Sequence, residues 1–403
     1  MKVLLLAPQP CYVDRGTPIA VDMTLATLSD AGYEVDLLTF PGGADRHYPG
    51  LRIFRVGEWL SRRPVQAGFS AKKLVLDVLM FFKALQMVVL NRYTLVHAVE
   101  ESSFIAMLLR LFFRLPYIID MDSRMTTQLT DRYPWLGSFD KLLWAIETLP
   151  SRFASSVVTM CDSLRVEVLK VRDNRVFVVK DVSLLDYYGD PALEPPQALE
   201  DIRAKHDQLL MYIGNLETYQ GISLMLQAFA LQQTDAKAAA KSANAALVVV
   251  GGDAHRIELF RERAKVLGLE DHCYFIGPQP VGLLVKLMRQ ADVMLSPRTQ
   301  GTNTPLKLYS YLDSGVPVIA TNLQTHTQVV NEDQALLCEP NPQDMASAMS
   351  ELLQSAELRT RIATNAKKLI DEHHSLAGFR AQMLEIYRVV THAGGLSEQS
   401  EAA

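Results

Sequence analysis

The strongest constraint on this chain is a rhythm. Short aliphatic and β-branched runs alternate with longer segments of helical spacing, and the alternation occurs twice. In the first half, Val3–Ala7, Glu34–Thr39, Leu51–Val56, Leu95–Val99, Tyr117–Asp120, Val157–Met160 and Val176–Val179 read as strands. Between them Ile19–Asp30, Lys72–Asn91, Ser103–Phe113, Lys141–Arg152 and Ser163–Lys170 read as helices. Strands separated by helix-length crossovers pair in parallel, with helices on both sheet faces. The second half repeats the pattern. Its strands are Leu209–Ile213, Ala246–Val250, Cys273–Ile276, Val293–Ser296, Val318–Thr321 and Ala335–Cys338, and its helices are Gly221–Leu231, Arg256–Leu267, Gly282–Arg289, Pro305–Asp313, Asp344–Gln354, Glu357–His373 and Leu376–Val390. The predicted fold class is α/β, with two Rossmann-like, doubly wound domains.

A Pro-rich, acidic stretch from Asp186 to Pro196 lacks apolar periodicity and separates the halves. The expected domains are therefore 1–188 and 207–375, with a linker at 189–206. Residues 376–403 are expected to form a helix crossing back to the first domain and a frayed tail from Gly394. The Ala-rich segment 236–246 is expected to be a surface loop or a helix extension.

Composition removes several function classes. The 403 residues are 49% hydrophobic and 21% charged with a net charge of -5, which excludes a disordered chain and a nucleic-acid binder held by bulk charge. Cys11, Cys161, Cys273 and Cys338 are too far apart for a C-x-x-C motif and are expected as buried or partly buried thiols. The first eight residues are too briefly apolar, and end in proline too soon, for a signal peptide. The apolar stretch Leu74–Leu90 is interrupted by Asp77, Lys83 and Gln86, so a helix mostly buried in the protein is expected rather than a membrane span. Residues 46–92 hold nine basic residues against Glu58 and Asp77, an excess of +7 that is either a solvated basic face or a contact for an anionic surface or acceptor, such as the inner face of a membrane.

In open α/β sheets, ligands bind beyond the carboxyl ends of the strands. Two such edges facing each other would make a cleft, and the loops that line it are informative. In the second half, Gly214-Asn215 through Gln220-Gly221 follows a strand and opens a helix, the arrangement that exposes backbone N–H groups to a phosphate. Gly251-Gly252 and Gly277 end neighbouring strands. After Ser296 comes Pro297-Arg298-Thr299-Gln300-Gly301-Thr302-Asn303-Thr304-Pro305-Leu306-Lys307, combining a helix-start proline, hydroxyls, an amide and two cations. That mixture suits a nucleoside diphosphate. In the first half, Gly16 and Thr17 begin a helix after the first strand, His97, Glu100 and Glu101 end another strand, and Asp120 and Asp122 end a third. The carboxylate pair is able to serve as acid or base, or to bind sugar hydroxyls or a metal.

With these motifs in place, the sequence resembles a family-4 glycosyltransferase of the GT-B fold. The resemblance rests on Tyr212-Ile213-Gly214-Asn215-Leu216 through Gly221, on Val248–Gly252 with Phe275-Ile276-Gly277, on Ala291–Pro297, and on Lys307–Thr321. Leu28–Asp36 carries it more loosely in the first half. It implies a cytoplasmic, retaining hexosyltransferase that takes sugar from a nucleoside diphosphate sugar and needs no essential metal or cofactor. The acceptor would be a cell-surface glycan or a lipid-linked molecule, held near Gly16, Thr17, His97, Glu100, Glu101, Asp120 and Asp122. Donor contacts would come from Gly214, Asn215, Gln220, Gly252, Gly277, Thr302, Asn303, Thr304 and Ser310, with catalysis by Lys307, Arg298, Asp120 and Asp122.

Four positions depart from the family pattern. The two cations usual in the donor loop are Asn215 and Gln220, and the two signature carboxylates are Thr302 and Ser310. The histidine usual beside the transferred sugar gives way to the Asp120–Asp122 region. Either Arg298 and Lys307 take over the phosphate charge, or the chain is a non-catalytic nucleotide-sugar-binding or scaffold subunit.

Overall fold

The structure, a computed structural model, describes residues 1–13, 16–60, 71–190, 192–238, 244–301 and 304–393. The chain divides into two compact units, Met1–Asp181 with Ala377–Ala403, and Val182–Leu376. In chain order the first unit contains β1 (Lys2–Pro10), α1 (Gly16–Asp30), β2 (Glu34–Phe40), β3 (Leu51–Arg55), α2 (Ala71–Leu90), β4 (Leu95–Val99), α3 (Ser103–Phe113), β5 (Tyr117–Met121), α4 (Met125–Arg132), α5 (Asp140–Glu147), α6 (Leu149–Phe153), β6 (Ser156–Thr159), α7 (Asp162–Leu169) and β7 (Val176–Val178).

The second unit contains α8 (Leu185–Tyr188), α9 (Gln197–Lys205), β8 (Gln208–Ile213), α10 (Ile222–Ala238), β9 (Ala245–Val250), α11 (Ala254–Val266), β10 (Cys273–Gly277), α12 (Leu284–Met288), β11 (Val293–Ser296), α13 (Leu306–Asp313), β12 (Val318–Thr321), α14 (Gln324–Thr327), β13 (Leu336–Cys338), α15 (Pro342–Gln354) and α16 (Ala356–His373). The last helix, α17 (Leu376–Ala393), belongs from Ala377 onward to the first unit.

Both sheets are parallel and wound from the middle outward. Their orders are β3-β2-β1-β4-β5-β6-β7 and β10-β9-β8-β11-β12-β13. Leu5 of β1 pairs with Leu37 on one side and His97 on the other. The winding direction reverses between β1 and β4, and again between β8 and β11. The loops after those strands diverge there and leave room for a ligand.

Side-chain alternation sorts each sheet into two cores. In the first sheet Leu4, Leu6, Val96, Ala98 and Ile119 pack under α2 and α3. In the second, Leu210, Tyr212, Leu247 and Val293 meet α10 and α15, while Leu209, Met211, Val248 and Met294 meet α9, α13 and α16. All four cysteines are free, and only Cys161 is less than fully buried.

Four expectations need correction. The segment 189–206 is not a free linker. Its α9 buries Leu199 and Ile202 in the second core, the Asp190 amide donates to the Gly282 carbonyl at 3.1 Å, and Lys286 bonds the Leu193 carbonyl at 2.7 Å. Lys141–Arg152 is two helices, parted at Thr148 just before Pro150. In the Ala-rich segment, Ala245 and Ala246 lie in β9, α10 reaches Ala238, and 239–243 and the tail from Gly394 fall outside the described residues.

The apolar segment at 74–90 differs most. Leu76, Met80, Ala84 and Met87 of α2 are fully buried against the sheet, one stripe at helical spacing, with Leu79, Phe81, Leu85 and Val88 half-buried beside them. Leu74, Val75, Val78, Phe82, Val89 and Leu90 are exposed, Phe82 by 61%. Leu111 and Phe112 of α3, Leu142 and Ile146 of α5 and Phe153 of α6 are exposed as well. Among the described residues, no helix is long and apolar enough to cross a membrane.

Phe379, Met383, Ile386, Tyr387 and Val390 of α17 are buried, and the Tyr387 hydroxyl bonds His97 Nδ1 at 2.7 Å. A chain ending at Ser375 removes all five side chains. Its melting temperature is expected to fall by about 10 °C or more, or the protein to aggregate, in a thermal scan beside the full chain.

Candidate functional site

The second unit gathers its site at the β8/β11 switch point. The loop 214–221 leaves β8 and turns into α10 through Gly221, which has φ +75°. A Cβ there would collide with the Pro297 carbonyl, so the loop after β8 lies directly on the loop after β11. Gly251, at φ +106°, lets the loop after β9 press equally closely against Gly214. Gly252 and Gly277 also adopt positive φ at the same edge.

Lys307, in the first turn of α13, sits among these loops. Its Nζ donates to Gln220 Oε1 at 2.9 Å and lies 3.9 Å from the centre of the Tyr212 ring. The Tyr212 hydroxyl donates to the Asn215 carbonyl at 2.6 Å, fixing that ring. Burial, then the charge of Arg298, pushes the Lys307 ammonium well below the usual lysine range. Arg298 donates to Thr325 Oγ1 at 3.0 Å and lies over Tyr219, and its own pKa is lowered by burial. A half-buried lysine and arginine crowded together are held at a cost that an incoming anion would relieve.

A residue not picked out from the sequence holds this loop in place. His326 of α14 is fully buried, and burial lowers its pKa to about 4, so it is neutral. Its Nδ1 bonds the Thr321 carbonyl at 2.9 Å, which assigns the proton there, and Nε2 accepts from Ser296 Oγ at 2.8 Å. Thr321 Oγ1 in turn donates to the Arg298 carbonyl at 2.6 Å. Nothing in the local sequence marks His326, because its partners come from β11 and β12.

The remaining second-unit residues divide. Asn215 is exposed at the loop tip, and Gln220 is buried against Lys307. Thr304 is buried, with Oγ1 accepting from Gln328 at 2.7 Å. Thr302 and Asn303 lie outside the described residues. Ser310 is corrected from a donor contact to a packing residue: it is 1% exposed on the inner side of α13, and its hydroxyl accepts from the Leu184 amide at 3.1 Å.

The first unit collects carboxyl groups at its β1/β4 switch point. Glu100 follows β4 with φ +49°, the left-handed region where a non-glycine residue is strained. Burial and then Glu101 raise its pKa to about 7. Asp122, after β5, is raised well above the usual range by burial, Asp120 and Glu100, and accepts a hydrogen bond from Thr17 at the start of α1. Asp181, which the sequence reading did not single out, is raised to about 7 by burial and Asp120. Gly16 opens α1 with open space around it.

His97 is 1% exposed behind this edge, with Nε2 3.5 Å from Asp120 Oδ2 and Nδ1 bonded to Tyr387. It therefore orients Asp120 rather than meeting a substrate. Glu101 turns away into an ion pair with Lys73. A carboxyl cluster that retains protons near neutrality is suited to hold hydroxyls and to take up a proton.

The basic excess at 46–92 is smaller in space than in sequence. Arg46 pairs with Asp22, Arg52 with Asp36, Arg55 with Asp45 and Lys73 with Glu101. Arg62 and Arg63 lie outside the described residues.

Comparison with known proteins agrees with this geometry. Residues 199–369 match the family described as glycosyl transferases group 1, and residues 15–180 match the glycosyl transferase 4-like domain. An uncharacterized glycosyltransferase of Methanocaldococcus jannaschii is 21% identical over 90% of this chain and 92% of its own length. A phosphatidyl-myo-inositol mannosyltransferase of Mycolicibacterium smegmatis is 23% identical over 54% of this chain and 57% of its own. The fold is shared with the Anabaena protein HepE, solved in complex with UDP-glucose, at a TM-score of 0.69 and 15% identity over 96% of this chain and 99% of that one.

The raised carboxyl groups set a pH dependence. Between the unfolded value near 4 and the folded value of about 7, the native state binds more protons than the unfolded chain. The stability that Asp181 contributes is thus fully present below the unfolded value and is lost as pH rises through about 7. Asp181→Asn is expected to raise the melting temperature at pH 7.5 by about 2–4 °C and to leave it nearly unchanged at pH 4.5. Differential scanning calorimetry at both values checks this; an equal shift at both would break the link to ionisation.

Proposed function

Because the chain belongs to the group 1, family-4-type glycosyltransferases of the GT-B fold, we propose that it transfers a hexosyl group, with retention, from a nucleoside diphosphate sugar to an acceptor hydroxyl. The carrying observation is Lys307 Nζ, 2.9 Å from Gln220. The cation that the family pattern places at that point of the donor loop is supplied here from α13. This supports an active donor site over a non-catalytic subunit.

In this reading the diphosphate lies against Lys307, Arg298 and the amino end of α13. The bond between the anomeric carbon and the phosphate oxygen breaks as the acceptor oxygen bonds that carbon. Charge develops on the leaving diphosphate, where a preorganised cation in a dry crevice is most effective. Burial and Arg298 lower the Lys307 pKa, and the negative charge of an entering diphosphate would favour its protonated form. On the first unit, Asp120, Asp122 and Glu100 hold the acceptor's hydroxyls and receive the proton it loses. UDP is the first nucleotide to try, since HepE binds UDP-glucose.

The acceptor is drawn from a membrane surface in the assembly of a cell-surface glycan. The mannosyltransferase of Mycolicibacterium smegmatis is named for a lipid acceptor, and the exposed apolar faces of α2, α3, α5 and α6 suit a lipid interface. In this reading the enzyme works at the cytoplasmic side of a membrane.

In a thermal-shift titration, UDP at about 100 times its dissociation constant is expected to stabilise the wild-type protein by about 2.7 kcal/mol. Lys307→Ala should keep the fold, lose most of that shift and lower turnover of UDP-glucose about 100- to 1,000-fold. A variant with the wild-type shift and rate removes Lys307 from the mechanism.

A further inference from the structure

The first unit contains a cavity of about 370 Å³ outside the carboxyl cluster, bounded by α2, the turn at 100–102, α3, α4 and α5. This is the size of a small-molecule pocket. Phe104, Ile105, Leu129 and Leu143 make its walls apolar. At its rim stand Leu74 and Ile146, 55% and 49% exposed, which continue into the apolar surface of α2 and α5.

Its polar wall is of one sign. Asp77, Glu100, Glu101 and Glu147 line it, with Lys73 as the cation among the described residues. Two of the acids are already engaged. Glu147 accepts from the Met125 and Thr126 amides at 2.8 and 2.9 Å, which ties down the start of α4, and Glu101 pairs with Lys73. Asp77 has neither kind of tie among the described residues: its Oδ1 is buried without a hydrogen-bond partner, and no ion pair engages it. A buried polar atom left in that state wants a donor or acceptor from outside the protein. Glu100 belongs both to this wall and to the carboxyl cluster with Asp122. The cavity therefore runs from an apolar rim to the edge where the acceptor's reacting group belongs.

We propose that this cavity binds the apolar part of the acceptor, an alkyl or aryl group, while an uncharged polyhydroxyl or an ammonium head lies at the Asp77–Glu100 end. The inference rests on the glycosyltransferase reading and narrows it: the acceptor is an amphiphile with a neutral or cationic head.

Three probes with one tail test this. Octyl β-glucoside, octylamine and octyl phosphate, each below its micelle-forming concentration, are titrated into the full-length protein and followed by thermal shift. Wild-type protein is expected to gain about 3 °C with the glucoside and the amine and nothing with the phosphate. Leu143→Trp fills the cavity from its wall and should abolish both shifts while its UDP shift stays intact. Phe104→Trp serves the same purpose should Leu143→Trp fail to fold. Equal shifts with all three head groups, shifts that survive both tryptophan variants, or no shift at all would overturn the proposal. The UDP shift separates that outcome from failure of the glycosyltransferase reading, which would show as loss of UDP binding in the wild type.

Discussion

A half-buried ammonium group with no acid paired to it among the described residues is costly for a protein to hold, and the second unit is organised around one. Lys307 has an amide oxygen and an aromatic face where a structural lysine would have a carboxylate. Both partners are themselves fixed, the ring by its hydroxyl on the Asn215 carbonyl and the amide by the loop that Gly221 and Gly251 press into place. The neutral His326 and its two hydroxyl neighbours hold the adjoining loop without adding charge of either sign. Partners that merely tolerate a cation leave it available to an anion. A carboxylate in the same place would stabilise the empty protein and compete with the diphosphate.

The first unit inverts the arrangement. Glu100, Asp122 and Asp181 are crowded at one sheet edge, and their pKa values rise because burial and like charge both penalise ionisation. Their value to a transfer reaction lies in that crowding. Carboxyl groups that keep protons near neutrality both donate and accept hydrogen bonds, which suits a polyhydroxy acceptor. The strained backbone at Glu100 places one of these groups where the edge and the apolar cavity meet. On the proposed reading the two units offer opposite chemistry, cations to the departing diphosphate and carboxyl groups to the acceptor.

The strands were legible because a parallel strand buried on both faces must be a continuous apolar run bounded by turn residues. Leu95–Val99, Val293–Ser296 and Val318–Thr321 match to the residue. The short helices α4, α8, α9 and α14 were not, since a turn or two of helix carries too few residues for periodicity to speak. Glycines and cations of the donor edge were readable because their chemistry is carried locally, on strand-to-helix loops. The roles of His97, Ser310, Asp181 and His326 were not. Each depends on an atom from a distant segment: the Tyr387 hydroxyl, the Leu184 amide, the Asp120 carboxylate and the Ser296 hydroxyl.

The segment 46–92 shows how a count of charges and a count of apolar residues mislead in opposite directions. The basic excess suggested electrostatic attraction to an anionic surface, yet four of its cations are paired with acids of the same unit. The helix at 74–90 suggested burial, yet six of its apolar side chains are exposed. Both errors arise because sequence reports which residues are present and not which of them face one another. Corrected, they converge on one surface. Neutralised arginines weaken attachment by charge alone, while exposed phenylalanine, leucine and valine on α2, continued by α3, α5 and α6, carry a cost in water that a lipid interface removes. A contact driven by apolar area is insensitive to salt and indifferent to the sign of the lipid head group. It also leads directly to the rim of a cavity whose polar end is lined by four carboxyl groups. An acceptor with a neutral head and a hydrocarbon tail satisfies the surface, the cavity and the carboxyl cluster together, whereas a phosphorylated one satisfies only the first.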